Sequence, residues 1–398
     1  MPSTHYFPGV LVAQLDFADP EFPVSLVEKP EPLLPGPAWA RVQVTGGGIC
    51  GSDLHAMFPD DTGSPTLAPY VAFPFEMGHE IGGVIIEAGP ECALPVGTRV
   101  AVDPTIACAA RGLDPCPQCL VGHFSTCLRI SEGVLTPGMS HGFTVDLGSG
   151  WSDQLVAHIS QLHVAPDGVP TVAIPLTEPL SIVVHGFLRR PPTDGVPILV
   201  IGAGIIGLAA VAALRSLTPN SEITVVTRHE HQATTARALG AHHTVMDGRE
   251  AIDALAAITG GHLTGRGRGS MLSNGYPVAV EAAGSASAFD LACKATTQRG
   301  VVHFMGSLGR VAVDLTPAWF KELDLVGNFA HAVDADPTGE RLHSFDRALA
   351  ILATGGYPAE RIVTHRFPLT SLREAIETAR ARDRGAIKVQ LQPLAAPT

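Results

Sequence analysis

The chain has 398 residues, long enough for a large core and for two domains. Its 45% hydrophobic and 16% charged residues mark a compact globular protein rather than a disordered one. With 26 basic against 38 acidic residues, the formal charge of -12 repels a polyanion over most of the surface, so nucleic acid is excluded as an expected partner.

The first residues, MPSTHYFPGVLVAQLDFADPEF, show neither a basic n-region nor an apolar h-region. No secretory leader is expected, and the cytoplasm is the expected compartment. There, thiolates bind metals more often than they form structural disulfides. Up to about Arg190 the chain is rich in Gly and Pro and carries short alternating runs, ARVQVTGG, GGVIIEAG and GTRVAV. These predict strands closed by tight turns, an irregular β domain. After RRPPTDG the pattern changes. VPILVIG predicts a buried strand, IIGLAAVAALRSL a helix, SEITVVT a strand, and EHQATTARALG a helix ending at Gly240. PVAVEAAG and GVVHFMG extend the alternation, which implies α/β architecture with a doubly wound parallel sheet. TGGHLTGRGRGSMLSNG interrupts this region and is expected to be a flexible insertion. From about His331 a helix is predicted at RLHSFDRALAILATGG, followed by strands at IVTHRFPL and AIKVQLQP.

VPILVIGAGIIGLAAVAAL approaches the length of a membrane span, but its glycines give it another meaning and no membrane association is expected. Gly202, Gly204 and Gly207 form G-x-G-x-x-G after an apolar strand and at the start of a helix. The first glycine permits the tight turn and the second admits a pyrophosphate close to the backbone. The third lets helix and strand pack closely. With Ile205 and Ile206 at the helix start, they offer unpaired N–H groups and a positive dipole end to phosphates. About twenty residues on, where an NAD site places an acid, stands Thr227, followed at once by Arg228. A missing carboxylate removes repulsion from a 2′-phosphate, and a guanidinium can hold that phosphate in bidentate fashion. NADP is therefore preferred over NAD. In the alternative, Arg228 is merely solvated and Glu230 reaches the ribose. His229 and His231 are expected as exposed loop residues.

The first region holds a second constellation. GGGICGSDLH places Cys50 in a glycine-rich turn, with Ser52, Asp53 and His55 close behind. EMGHEIGG supplies His79 and Glu80, and PLTEPLSIVVHG supplies Glu178. Thiolate, imidazole and carboxylate suit a catalytic zinc, which keeps a position open for water or substrate. Each residue alone has a mundane reading as core, packing or surface acid; the combination with a dinucleotide motif carries the argument.

With these pieces in place, the sequence resembles the zinc-containing medium-chain dehydrogenase/reductases, in particular their alcohol, polyol and threonine dehydrogenase branch. GICGSDLH, GHEIGG, the clustered cysteines, TEPLSIVVHG, VIGAGIIG, VEAAGS and TPAWFKELDLVGNFAH carry the resemblance across nearly the whole chain. It implies a GroES-like β catalytic domain built from both chain ends, residues 1–190 and 336–398, around a Rossmann domain at 191–335. It implies that Cys50 and His79 bind the catalytic zinc, with Glu178 as third ligand and Glu80 as a ligand in some relatives. Asp53 would accept from the other ring nitrogen of His79 and fix its tautomer. Such a centre polarises an alcohol oxygen and lowers its pKa; Ser52 would take the proton and His55 pass it to solvent. The substrate would be a small alcohol and its ketone or aldehyde, and the assembly a homodimer or homotetramer.

Relatives often carry C-x2-C-x2-C-x7-C, a lobe that binds a structural zinc through four thiolates. Here CAARGLDPCPQCLVGHFSTC keeps Cys116, Cys119 and Cys127 in that spacing, but Cys108 lies behind a longer gap. The closure entropy of so short a loop is small, so coordination by all four thiolates remains feasible, with empty reduced thiols or disulfides as the alternatives and the reach of Cys108 to the metal left open; a saturated site of this kind cannot activate substrate. Cys92 and Cys293 are read as buried hydrophobes. Zinc-dependent alcohol oxidation or carbonyl reduction is thus the leading reading. An NAD-linked polyol or amino-alcohol dehydrogenase is the alternative. A zinc-stabilised binding protein without turnover, or a zinc-free quinone reductase-like relative, is opposed by the presence of Cys50, His79 and Glu178.

Overall fold

The computed structural model describes residues 9–19, 21–58, 71–265 and 267–393; the opening residues 1–8, on which the expected absence of a leader partly rests, lie outside them. The described residues up to Glu178, together with those from Val363 onward, form one compact unit, and Pro179–Ile362 form the other. The expected breaks stood at 190/191 and 335/336. The first break in the structure falls inside a single helix, Thr177–Arg189.

The first unit is built on the strand Trp39–Gly48. Glu80–Ala88 pairs with it antiparallel along one edge, while Gln154–His158 and Lys388–Gln392 share the other. Arg99–Val102 and Leu162–Val164 extend the sheet on one side, and Val363–Pro368 joins Lys388–Gln392 on the other, making seven strands. Alternation in the sequence decides which face is covered: Val42, Val44, Ile81, Ile85, Val100, Val102 and Leu155 are buried together. Burying each such side chain contributes roughly 1.5–3 kcal/mol. A three-stranded sheet of Val24–Lys29, Val10–Leu15 and Phe75–Glu76 packs a second core around Trp151, Met57, Met77, Leu372 and Ile376. The C-terminal strand therefore belongs to the same sheet as the glycine-rich turn that opens on Cys50.

In the second unit, six parallel strands stand in the order His243–Met246, Ile223–Thr227, Ile198–Ile201, Tyr276–Glu281, Thr296–Phe304 and Asp324–Gly327. Numbered along the chain this is 3-2-1-4-5-6, the Rossmann order, with a crevice at the switch point between Ile198–Ile201 and Tyr276–Glu281. Ile198–Ile201 and Ile223–Thr227 are buried at every position, as strands covered on both faces must be. The long apolar run resolves into the strand Ile198–Ile201 and the helix Ile205–Leu217. Among the described residues, only Thr171–Arg189 is long and apolar enough to cross a membrane, and 89% of that window is buried.

The expected flexible insertion is corrected by the structure. His262–Thr264 and Met271–Ser273 pair as an antiparallel hairpin, with Arg266 outside the described residues. Leu272 is fully buried, and Lys321 Nζ donates to its carbonyl at 2.9 Å. Glycine content signalled the turns, and one apolar residue anchors what lies between them.

Candidate metal and dinucleotide sites

Cys50 is the N-cap of the short helix Gly51–Met57. Its backbone N–H donates to Asp53 Oδ2 at 2.8 Å, an acid at the third helical position reaching back to the cap. Asp53 is wholly buried, and its Oδ1 lies 3.2 Å from His79 Nδ1. One carboxylate thus fixes both the turn that carries the thiol and the orientation of the imidazole. Nδ1 faces Asp53, which turns Nε2 toward Ser52 Oγ, 3.4 Å away. Burial pulls the His79 pKa down, but Asp53 and Cys50 outweigh it and hold the free imidazole well above the ordinary histidine value. A metal at this site would have to displace that proton.

Ligand atoms of Cys50, His79 and Glu80 lie within 4.8 Å of one another. Glu80 is fully buried; its Oε1 accepts from Lys388 Nζ at 2.6 Å, while its Oε2 has no hydrogen-bond partner. The backbone makes room for that oxygen, since a Cβ on Gly48 would meet it at 1.8 Å. Lys388 also donates to the carbonyl of Ile49 at 2.9 Å, beside the cysteine. Burial pushes the Glu80 carboxyl above the usual range, with Lys388 pulling against it and Glu178 adding to it. Glu178 is buried at the start of the helix Thr177–Arg189, within electrostatic reach of Glu80 but outside the 4.8 Å group. A thiol, an imidazole nitrogen and an orphaned buried carboxylate oxygen are a donor set that fits zinc. His55 is exposed on the same helix as Ser52. Lys388 escaped the reading of the sequence, although a lysine at an interior position of AIKVQL was a signal that it has a buried partner.

Each glycine of the dinucleotide motif meets a separate physical demand. Gly202 turns the chain at φ +97°, a conformation that L side chains rarely adopt. A Cβ on Gly207 would meet the Gly202 carbonyl oxygen at 1.8 Å, whereas one on Gly204 would meet nothing within 4 Å. Gly204 is thus the open floor, at the N-cap of the helix that begins with Ile205 and Ile206. Across the switch point, Glu281 Oε1 accepts from the backbone N–H groups of Ala283 and Gly284 at 2.9 and 2.7 Å. It thereby holds the facing turn, a role not foreseen from the sequence. Thr227 ends its strand buried. Arg228 is exposed and pairs at 3.2 Å with Asp247, just beyond the end of the neighbouring strand. Glu230 is engaged by Arg237. His229 and His231 are stacked, half-buried, around the start of the helix Glu230–Ala238, rather than free in a loop.

The sulfurs of Cys108, Cys116, Cys119 and Cys127 also lie within 4.8 Å of one another, so the longer gap brings Cys108 back to the group. Cys108 and Cys127 sulfurs are 3.5 Å apart, and the backbone N–H groups of Cys116 and Arg129 donate to them at 3.4 Å. All seven cysteines are free; Cys293 is buried, and Cys92 is partly buried against the core of the large sheet. Four converging thiols with N–H···S support fit a closed tetrathiolate zinc.

The family model of the alcohol dehydrogenase GroES-like domain matches residues 36–167, and that of the zinc-binding dehydrogenases matches 206–356. A sorbitol dehydrogenase of Arabidopsis thaliana is 30% identical over 364 residues, covering 90% of each chain. The L-galactonate-5-dehydrogenase of Escherichia coli is 28% identical over 375 residues, covering 92% of this chain and 95% of its own. A Sinorhizobium meliloti 1021 structure, described as a zinc-binding dehydrogenase and bound to NADP, superposes with a TM-score of 0.75 at 25% identity, over 97% of this chain and 99% of that one. This chain therefore belongs to the zinc-containing medium-chain dehydrogenase/reductase family, as a nicotinamide-linked oxidoreductase acting on alcohols.

Proposed function

We propose that the protein interconverts a polyhydroxylated secondary alcohol and its ketone, with NADP(H) preferred over NAD(H). The grouping of Cys50, His79 and Glu80 around an orphaned carboxylate oxygen, with Ser52 3.4 Å from His79 Nε2, carries this reading. The polyol character is supported by relatives named for sorbitol and L-galactonate. Cys50 and His79 would hold zinc, with Glu178 and Glu80 sharing the carboxylate place, and the four clustered cysteines a second, structural zinc. When bound, zinc supplies a Lewis acid that lowers the pKa of an alcohol oxygen, and nicotinamide supplies the hydride acceptor. The chain's own part is positional and protonic. Asp53 keeps His79 in one tautomer, Ser52 accepts the alcohol's proton, and His55 passes it to water. Lys388 offsets the negative charge that Cys50, Glu80 and Glu178 bring into one buried place.

For the cofactor, Gly202, Gly204, Ile205, Ile206 and Gly207 would bind the pyrophosphate, with Thr227 and Arg228 at the adenosine ribose. Arg228 at a strand end without an acid supports NADP. The second reading, NAD with a polyol, is favoured by Asp247, which already occupies the guanidinium. We further read the protein as a cytosolic homo-oligomer. Seven free cysteines agree with a reducing compartment, and exposed Leu325 on the edge strand Asp324–Gly327, with exposed Trp319 and Phe320 on the helix before it, agrees with burial against a second copy. A panel of alcohols and ketones assayed with NAD(H) and NADP(H) in parallel tests the proposal. Turnover retained in a Cys50→Ser variant would overturn the metal assignment.

A further inference from the structure

The cysteine lobe departs from its relatives' spacing in one place, the gap AARGLDP between Cys108 and Cys116. That gap contributes Arg111, whose side chain is wholly buried. Nη1 donates to the carbonyl of Glu132 at 3.0 Å, and Nη2 to those of Thr136 and Gly138 at 3.2 and 2.6 Å. Its backbone closes the same contact, since Val134 N–H donates to the Arg111 carbonyl at 3.2 Å. Nε remains buried without a hydrogen-bond partner. Arg111 also sits one turn beyond the first thiol, its N–H donating to the Cys108 carbonyl at 3.1 Å.

A carbonyl clamp alone does not call for a guanidinium at this depth. A buried cation is costly unless an anion compensates it, and carbonyls are neutral. No carboxylate is paired with Arg111 among the described ion pairs. The groups within reach that a bound zinc would make anionic are the thiols: burial pulls the guanidinium below its ordinary value, and Cys127 and Cys108 pull it back up. The balance works in both directions. Four thiolates around one divalent zinc carry a net charge of about minus two, itself expensive to bury. Backbone N–H groups, those of Cys116 and Arg129 among them, support the sulfurs, but with dipoles and no net charge. Arg129, the other arginine close by, is part exposed and already bound to Glu132.

We propose that Arg111 is the built-in counter-charge of the structural zinc lobe, a positioning residue that holds the four thiolates as a metal site and ties them to the segment 132–138. The lengthened gap is then the means by which this cation enters the lobe. The inference rests on the reading of the four cysteines as a zinc site, and the experiment separates the two.

The test uses the full-length, zinc-loaded protein in a Cys50→Ser background, so that the zinc remaining is that of the lobe. Zinc content and the rate of release to a chromophoric chelator are measured for Arg111→Gln, a neutral donor, and Arg111→Lys, which keeps the charge. Loss of a supporting partner lowers metal affinity by about 10- to 100-fold, so Arg111→Gln should release zinc at least about tenfold faster, with Arg111→Lys close to the parent. Release at the parent rate from Arg111→Gln overturns the proposal, as does equally fast release from both variants, which would mark a clamp of shape rather than charge. If the parent holds no lobe zinc, and Cys116→Ser changes nothing, the zinc reading itself falls and the inference with it. Should Arg111→Gln fold poorly, refolding yield against added zinc replaces the release rate: a higher zinc requirement than Arg111→Lys supports the proposal, and an equal one overturns it.

Discussion

Lys388 and Glu80 form the most deeply buried ion pair described in the chain, with side chains 1% and 0% exposed and 2.6 Å between Nζ and Oε1. Lys388→Met keeps the volume of the stem and removes the charge. Two groups then lose their donor: Glu80, whose other oxygen already has no partner, and the carbonyl of Ile49. Breaking a buried pair from one side costs about 3–5 kcal/mol, because the remaining charge is left without compensation. At roughly 2–4 °C per kcal/mol for a unit of this size, the transition of the first unit should fall by about 10 °C. Protonation of Glu80 limits the loss, since burial and Glu178 both favour its neutral form. Glu80→Gln alone leaves the ammonium stranded and should also destabilise. The double variant leaves neither member of the pair unpaired and should regain much of the stability, less what Cys50 and Glu178 lose with Lys388, giving a coupling energy of at least about 2 kcal/mol. Thermal denaturation of the four proteins at saturating zinc measures this cycle. If Lys388→Met lies within about 1 kcal/mol of wild type, or the double variant shows the sum of the two losses, the two charges do not stabilise each other.

The dinucleotide motif separates fold from binding. Gly207→Ala drives a Cβ into the Gly202 carbonyl and should lower the stability of the second unit, by roughly 1–3 kcal/mol; Gly204→Ala should leave the melting temperature unchanged and weaken cofactor binding, and equal melting losses would refute the division. Asp247→Asn frees Arg228 from a surface pair worth only about 0–1 kcal/mol, and should raise the NADP to NAD affinity ratio by up to about fivefold, whereas Arg228→Ala should lower it; fluorescence titrations showing equal changes for both cofactors would refute the assignment. For pH, burial lowers His141 and His303 to about 4 each. Their unfolded value is about 6.5, so the unfolded chain takes up protons that the folded one does not. Stability is therefore full above pH 6.5 and is lost as pH falls towards 4, by about 2 kcal/mol per histidine at pH 5. His303→Leu should flatten the acid slope of the second unit, and an unchanged slope in denaturation at pH 5 and 7 would refute the contribution.

What was legible in the sequence follows the range of the forces involved. The strand Ile198–Ile201, the helix Ile205–Leu217 and the roles of Gly202, Gly204 and Gly207 are set by neighbours in the chain, and they were readable from apolar runs and glycine spacing. The Asp53 link to Cys50 is local too, although its second link reaches His79, just before the strand Glu80–Ala88. Lys388 and Asp247 were not legible, because their partners lie 308 and 19 positions away and come together only by strand pairing. The hairpin at His262–Ser273 was misread for a similar reason: its glycines are visible in the sequence, while the burial of Leu272 is a tertiary fact.

The two candidate metal centres meet one electrostatic problem in related ways. Each gathers candidate ligands that a metal would leave anionic in a largely buried place, Cys50 with Glu80 and Glu178 in one case and four thiols in the other. Each has a buried basic residue from elsewhere in the same unit within electrostatic reach, Lys388 from the last strand and Arg111 from the lengthened gap. The difference lies in what the cation leaves open. Lys388 occupies one oxygen of Glu80 and leaves the other without a partner, so that centre stays unsaturated and can answer to a ligand. Arg111 spends its Nη donors on carbonyls of its own lobe, where four sulfurs would close the shell of a bound metal. An unsaturated donor set beside Ser52 is suited to chemistry, and a closed one stitched to its own loop is suited to holding shape.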